Sequence, residues 1–385
     1  MAEDRSSSMG NKVDHKGDQP CELTLKFLKK ITNEFDESRI LGRGTFGTVY
    51  KGTYENGEEI AVKVLKNMSG FETTEEFHKE LKNLRRLKHQ NVVKLVGFCN
   101  ESEKVVAVYN GNQVIAEERH TSLCFEYVSN GSLAEHIYAD GCSGLNWHIL
   151  YRIIKGMCQG LEYLRHGLEF SVWHLDLKPA NVLLDNNMIP KLADFGLSKL
   201  LFGDENTRNT INHVGTCGYL PPEYIEHQSL SKEFDIFGLG VIIAKLMAGR
   251  DVYSEIDIMS EKKFVNHVHG NWRKKLSETL APRGLEVYGE QVKTCIRIAL
   301  NCMNRKREKR PTIQSIVSDL IETEMLIRTR GLQMEHSCEK EPILPEGRTQ
   351  AITPEMAGDS RKGKTDDGTA GDLSNGASPE FKGLP

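Results

Sequence analysis

No CxxC pair occurs among the nine cysteines of this chain, and their number is odd. Zinc ribbons and a closed disulfide framework are therefore disfavoured, and reduced thiols in a cytosolic protein are the simpler expectation. An excess of one charge is missing too: 50 Lys and Arg face 54 Asp and Glu, for a formal net charge of −4. That balance offers no electrostatic footprint for a nucleic-acid partner. Nowhere do the ~18 apolar residues of a membrane span stand together. The stretch Met1–Pro20 has no apolar h-region, and Ala2 stands where N-myristoylation needs glycine. Neither secretion, nor a transmembrane segment, nor that lipid anchor is expected. Proline is scarce, with 12 residues against 34 Gly, which suits tight loops better than a proline-rich scaffold. What the chain does have is 38% hydrophobic and 27% charged residues over 385 positions. A sizeable core is possible, in two or three domains or in one large two-lobed one.

Residues 1–22 are polar and read as a disordered tail. Leu25, Leu28, Ile31 and Phe35 then recur at helical spacing. Two β-rich runs flank Asn56-Gly57, the strongest short hairpin signal. Thr73-Thr74 followed by Phe77, Leu81, Leu84 and Leu87 predicts an amphipathic helix, and two further strand-like runs complete a small β-rich lobe. From about residue 131 helical periodicity dominates, without repeats. Residues 329–385, rich in Gly, Pro and Ser beyond position 336, lack apolar periodicity and read as a second disordered tail.

Three groups of residues carry chemistry. Gly42, Gly44 and Gly47 form GxGxxG, which also marks dinucleotide-binding turns when a helix follows. Here a β-rich run follows, so the motif reads as a flap between strands whose backbone N–H groups can approach phosphates. Lys63 lies in Ala61-Val62-Lys63 on the next strand, and Glu80 on the following helix is its natural carboxylate partner. The most specific run is His174-Leu175-Asp176-Leu177-Lys178-Pro179-Ala180-Asn181, with Asp194-Phe195-Gly196 eighteen residues beyond Asp176. Phosphoryl transfer needs a carboxylate to accept a hydroxyl proton, which Asp176 fits. It also needs metal ligands on the phosphates, which Asn181 and Asp194 fit, and a cation near the γ-phosphate, which Lys178 fits.

Together these motifs resemble those of eukaryotic protein kinases. HQNVVKLVGFC, LCFEYVSNGSLAEHI and GTCGYLPPEY narrow the resemblance to the plant receptor-like/Pelle group, of the non-RD receptor-like cytoplasmic kind common in grasses. The resemblance implies an α+β, two-lobed domain over about residues 23–328, with an N-lobe near 36–128 and a C-lobe near 129–328. It implies ATP with Mg²⁺, or Mn²⁺ in its place, as cofactors. Leu41, Gly42, Gly44, Gly47, Val49, Ala61, Lys63, Glu126, Val128 and Leu183 would line the nucleotide site, with Phe125 as gatekeeper and Asn181 and Asp194 as metal ligands. Lys178 in DLKPAN and Thr216 in GTCGY match the Ser/Thr pattern, Glu223 should pair with Arg310, and Asp235 should cap the catalytic loop.

The implied function is ATP-dependent phosphorylation of protein substrates in cytoplasmic signalling, by analogy in plant defence. The protein would be cytoplasmic, acting beside a membrane receptor kinase and peripheral at the plasma membrane through partners. A partner-binding pseudokinase scaffold is the competing reading. Three departures stand out: Leu175 replaces the Arg of HRD, Pro221 replaces the Ala of APE, and Glu103–Ser122 is too long for a minimal hairpin. That stretch reads as an extended exposed loop or a partner surface, and the loop is the expectation. The basic run Arg305–Arg310 is expected to be a solvated face rather than a nuclear signal.

Overall fold

Strand β1 (Cys21–Glu22) opens a six-stranded sheet that β2 (Ile40–Arg43), β3 (Gly47–Thr53), β4 (Glu59–Leu65), β5 (Leu95–Tyr109) and β6 (Asn112–Glu126) complete. This computed structural model describes residues 19–44, 47–66, 81–82, 84–137, 145–194, 199–201, 207–209, 215–254, 256, 259–280 and 282–329. The strand order is β1-β5-β6-β4-β3-β2, antiparallel throughout except for the parallel β1–β5 pair. Cys21–Glu22, placed in the N-terminal tail by composition, is thus an edge strand, and Thr329, placed in the C-terminal tail, ends a helix; residues 1–18 and 330–385 lie outside the described residues.

The first helix, Leu25–Ile31, is capped by Thr24, whose hydroxyl accepts from the Phe27 amide at 3.2 Å. Leu25, Leu28 and Ile31 pack with Ile60, Val62, Cys99 and Cys124 into a small core against one sheet face. The helix exits through three consecutive left-handed residues, Asn33, Glu34 and Phe35, with φ of 55°, 57° and 57°. Each costs an L-residue roughly 1–2 kcal/mol. The turn persists because buried Thr32 donates to Leu28 O at 2.7 Å and accepts from Phe35 N at 3.1 Å. The Phe35 ring also packs on Tyr50 at 5.3 Å. Glu34 is exposed, so Glu34→Gly should raise unfolding free energy by about 0.5–1 kcal/mol in a denaturant titration. A lower value would show that the Glu34 side chain itself contributes.

Two Asn-Gly pairs make different turns. Between β3 and β4 only Gly57 is left-handed (φ 85°), whereas at Asn110-Gly111 both residues are (49° and 79°). The latter is the two-residue type I′ turn that matches strand twist. Glu103–Ser122 is therefore not a loop but the outer part of a continuous β5–β6 ribbon, paired from Asn100↔Thr121 to Tyr109↔Asn112. The expectation failed for a physical reason. Val106, Val108 and Ile115 are 69%, 74% and 77% exposed, so these strands bury no face and show no clean apolar–polar alternation.

The helical lobe is built around Trp147–His166, started by Asn146, whose side chain accepts from Ile149 N at 2.9 Å. Its Leu150, Ile153, Ile154, Met157 and Leu164 are fully buried. Phe234–Ser254, apolar on nearly every side, fills the centre of the lobe, and Glu261–Ser277, Pro282–Cys302 and Ile313–Thr329 close it. Short ladders fix the connecting loops: Ser171–Trp173 with Lys199–Leu201, Val182–Leu184 with Pro190–Leu192, and Thr207–Asn209 with Ser229–Ser231. Among the described residues no helix is long and apolar enough to cross a membrane.

Candidate active site

The glycine flap lies between β2 and β3, which run antiparallel, and Gly44 N donates to Gly47 O at 2.9 Å. A strand, not a helix, follows the glycines, which excludes the dinucleotide-turn geometry. At Gly47 a Cβ would lie 2.2 Å from Val64 O, so only glycine lets the two strands close there. Thr45 and Phe46 at the flap tip lie outside the described residues.

On the neighbouring strands Val49 stands opposite Lys63, and Ala61 opposite Phe125, so the flap, the lysine strand and the end of β6 share one surface. The Lys63 ammonium is held by Asp194 Oδ1 at 2.6 Å, across 131 positions of sequence. Burial alone would raise the Asp194 carboxyl, but Lys63 beside it, with His174 and Lys178, holds it below the usual carboxylate range. Asp194 therefore stays ionised at neutral pH. Its φ of 63° is left-handed, which turns the carboxylate out of the strand run that precedes it.

Beneath this pair, Asp176 accepts from three side chains. Thr216 Oγ1 donates to Oδ1 at 2.6 Å, and Lys178 Nζ and Asn181 Nδ2 reach Oδ2 at 2.8 and 3.1 Å. Lys178 Nζ also donates to Thr216 Oγ1 at 2.8 Å. Both oxygens of Asp235 accept backbone amides, His174 N and Leu175 N, each at 2.8 Å. This carboxylate on the central helix fixes the loop that carries Asp176. Arg310 donates to both oxygens of Glu223 at 2.7 Å, tying the helix Pro222–His227 to the lobe.

A protein kinase domain family model matches residues 35–320. The chain belongs to the protein kinase family. It is 34% identical over 320 residues to the G-type lectin S-receptor-like serine/threonine-protein kinase SRK of Arabidopsis thaliana, an alignment covering 78% of this chain and 35% of the relative. It is 35% identical over 305 residues to cysteine-rich receptor-like protein kinase 41 of the same plant, covering 78% and 43%. The chain thus spans less than half the length of these relatives. In fold it resembles the pseudokinase domain of BIR2, an immune regulator of the RLK/Pelle family, with TM-score 0.57, 23% identity and coverage of 80% of this chain and 87% of that one.

Within the kinase domain, Lys63, Asp176, Lys178, Asn181 and Asp194 are linked by hydrogen bonds or shared charge into one site. Leu41 is 45% exposed at the flap edge, Val128 is buried after β6, and Leu183 pairs with Lys191 on the facing short strand. Glu80, Phe195 and Gly196 lie outside the described residues. The family resemblance placed Glu126 on the nucleotide site but missed its side-chain partners. That carboxylate accepts from Lys94 N at 2.8 Å and Lys191 Nζ at 2.9 Å, which anchors the end of β6 to both neighbours. Lys191 lies 65 positions away, and no local signal marked the pair. Leu175 is fully buried in a cluster with Trp173, Tyr224, Leu230 and Phe234, and Pro221 takes an ordinary extended conformation before its helix. In the basic run, Arg310 is buried while Arg305 stays at the surface, 3.7 Å from Glu226.

Proposed function

We propose that this kinase domain transfers the γ-phosphoryl group of ATP to Ser and Thr hydroxyls of protein substrates. The observation that carries this reading is the Asp176 carboxylate, aimed by Thr216, Lys178 and Asn181. A substrate hydroxyl presented there gives its proton to Asp176, and Lys178 offsets charge on the transferring group. The donor set suits a hard divalent cation: Asn181 commits its amide nitrogen to Asp176 and keeps Oδ1, and Asp194 keeps its second oxygen beyond the one on Lys63. Asn181 and Asp194 would hold Mg²⁺, which when bound neutralises phosphate charge. Leu41, Val49, Ala61, Val128 and Leu183 would enclose the base, and Lys63 the phosphates. Signalling beside a membrane receptor kinase, by analogy in plant defence, is the setting this reading implies.

The test is radiolabelled ATP turnover by the purified chain on exogenous Ser/Thr peptides with Mg²⁺ and with Mn²⁺. Incorporation into Ser or Thr supports the reading, and an inactive chain that still binds partner proteins makes it a scaffold. A second prediction follows from Leu175. An Arg at this position would pair with a phosphate on the activation segment, whereas leucine has no donor and is buried among Trp173, Tyr224, Leu230 and Phe234. The segment is instead tethered by backbone ladders at Lys199–Leu201 and Thr207–Asn209. Phosphatase treatment, or the double variant Thr207→Ala/Thr210→Ala, should lower turnover less than about tenfold, or 1.4 kcal/mol in barrier. A larger fall would show phosphate gating by another cation.

A further inference from the structure

The helix Glu261–Ser277 carries Lys262, Lys263, Arg273, Lys274 and Lys275 against a single acid, Glu261, in a chain whose net charge is −4. Its core side is Phe264, Val268, Trp272 and Leu276, each four residues from the last and all buried. At 100° per residue the opposite stripe is Lys262, Lys263, Asn266, His267, Gly270, Arg273 and Lys274. Every one of these residues is exposed, and the stripe contains no acid. Among the described residues no ion pair reaches Lys262, Lys263, Arg273 or Lys274. Glu290 on the adjacent helix, which acts on His269, is already held by Lys293 at 2.7 Å. Lys275 instead lies over the Trp272 ring at 5.0 Å. Among the described residues this charge, which ends at the C-cap acid Glu278, runs for about 18 Å along one helix face.

We propose that this stripe docks the protein electrostatically on an anionic bilayer surface. The partner follows from shape and chemistry. A surface helix face is convex and offers no pocket for the aromatic or aliphatic anchor that a specific protein partner needs. Three of the four unpaired cations are lysines, compact hydrated point charges that suit diffuse headgroup charge better than bidentate recognition. The apolar face of the helix is committed to the core, so the contact is peripheral and salt-sensitive, without insertion. The contact is direct, and the inference stands whether or not the domain transfers phosphate.

The experiment is co-sedimentation of the full chain with equimolar phosphatidylcholine–phosphatidylserine vesicles, with pure phosphatidylcholine vesicles, and with soluble poly-glutamate as competitor. Binding is expected to the anionic vesicles alone and to fade as salt rises. Each cation near such a surface contributes about 1 kcal/mol, roughly fivefold. The variant Lys262→Glu/Lys263→Glu/Arg273→Glu/Lys274→Glu should therefore lose well over tenfold in partition, with unchanged melting temperature and ATP turnover. A neutral set with Gln at the same positions guards against a charge-reversal artefact and should lose binding as well. Equal binding to neutral vesicles, no binding at low salt, or undiminished binding by both variants would overturn the proposal. So would tight binding of poly-glutamate with no vesicle binding, which would reassign the stripe to an acidic polypeptide.

Discussion

Asp176→Asn should lower phosphoryl transfer by at least about two orders of magnitude, the usual scale for a positioned general base. The side chain is nearly buried, and its two oxygens accept one hydroxyl, one ammonium and one carboxamide hydrogen bond. Asparagine keeps the volume but replaces one acceptor oxygen with an NH₂ group, which then faces the donors of Thr216 or of Lys178 and Asn181. It also removes the charge that receives the proton. The loop itself should stay folded, because its backbone is fixed by Asp235 through His174 N and Leu175 N rather than by Asp176. Initial rates with radiolabelled ATP, alongside a melting curve, separate the two effects. Undiminished turnover in a folded variant would remove Asp176 from the mechanism, and with it the main support for transfer at this site.

Arg310→Ala is the largest stability effect to expect, about 3–5 kcal/mol, because it breaks a buried ion pair by deleting one partner. The Arg310 side chain is wholly buried and the Glu223 side chain 13% exposed, so solvent screens the pair little. Truncation would strand the Glu223 carboxylate and leave Asn304 O without its donor at 2.9 Å and Glu233 O without its donor at 3.3 Å. It would also strip the guanidinium from the Phe237 ring, 5.0 Å away. A fall in melting temperature on the order of 10 °C is the expected reading. Arg310→Lys should recover only part of it, since an ammonium cannot make the paired contact. A shift below about 1 kcal/mol would mean that Glu223 finds another donor once Arg310 is gone. Because Glu223 follows Thr216 and Tyr219 closely in sequence, turnover should fall with stability in this variant.

The catalytic vocabulary was legible because its spacing is local. Gly42 to Gly47, Ala61 to Lys63 and His174 to Asn181 are each a short contiguous stretch, where residue type and separation dictate much of the geometry. The Glu223–Arg310 pair and the Asp235 cap were legible only through the family resemblance, since nothing near either residue announces its partner. The Asn110-Gly111 turn was written in the sequence as plainly as Asn56-Gly57. Its flanking strands bury no face, however, so the pattern that usually marks strands was missing and a ribbon passed for a loop.

By itself, then, the sequence determined the local motifs and their order and, through the family resemblance they carry, the two-lobed fold class. Short-range spacing and core periodicity suffice for the motifs and the elements. Only the tertiary structure decided the Lys63–Asp194 pair, the Lys191–Glu126 anchor at the end of β6 and the continuity of the β5–β6 ribbon. It alone also showed that, among the described residues, no ion pair reaches Lys262, Lys263, Arg273 or Lys274 on Glu261–Ser277. Each of these depends on which chemically ordinary side chains come within a few ångströms across tens of residues. Coulombic and hydrogen-bond energies fall off with that distance in space, which separation along the chain does not encode.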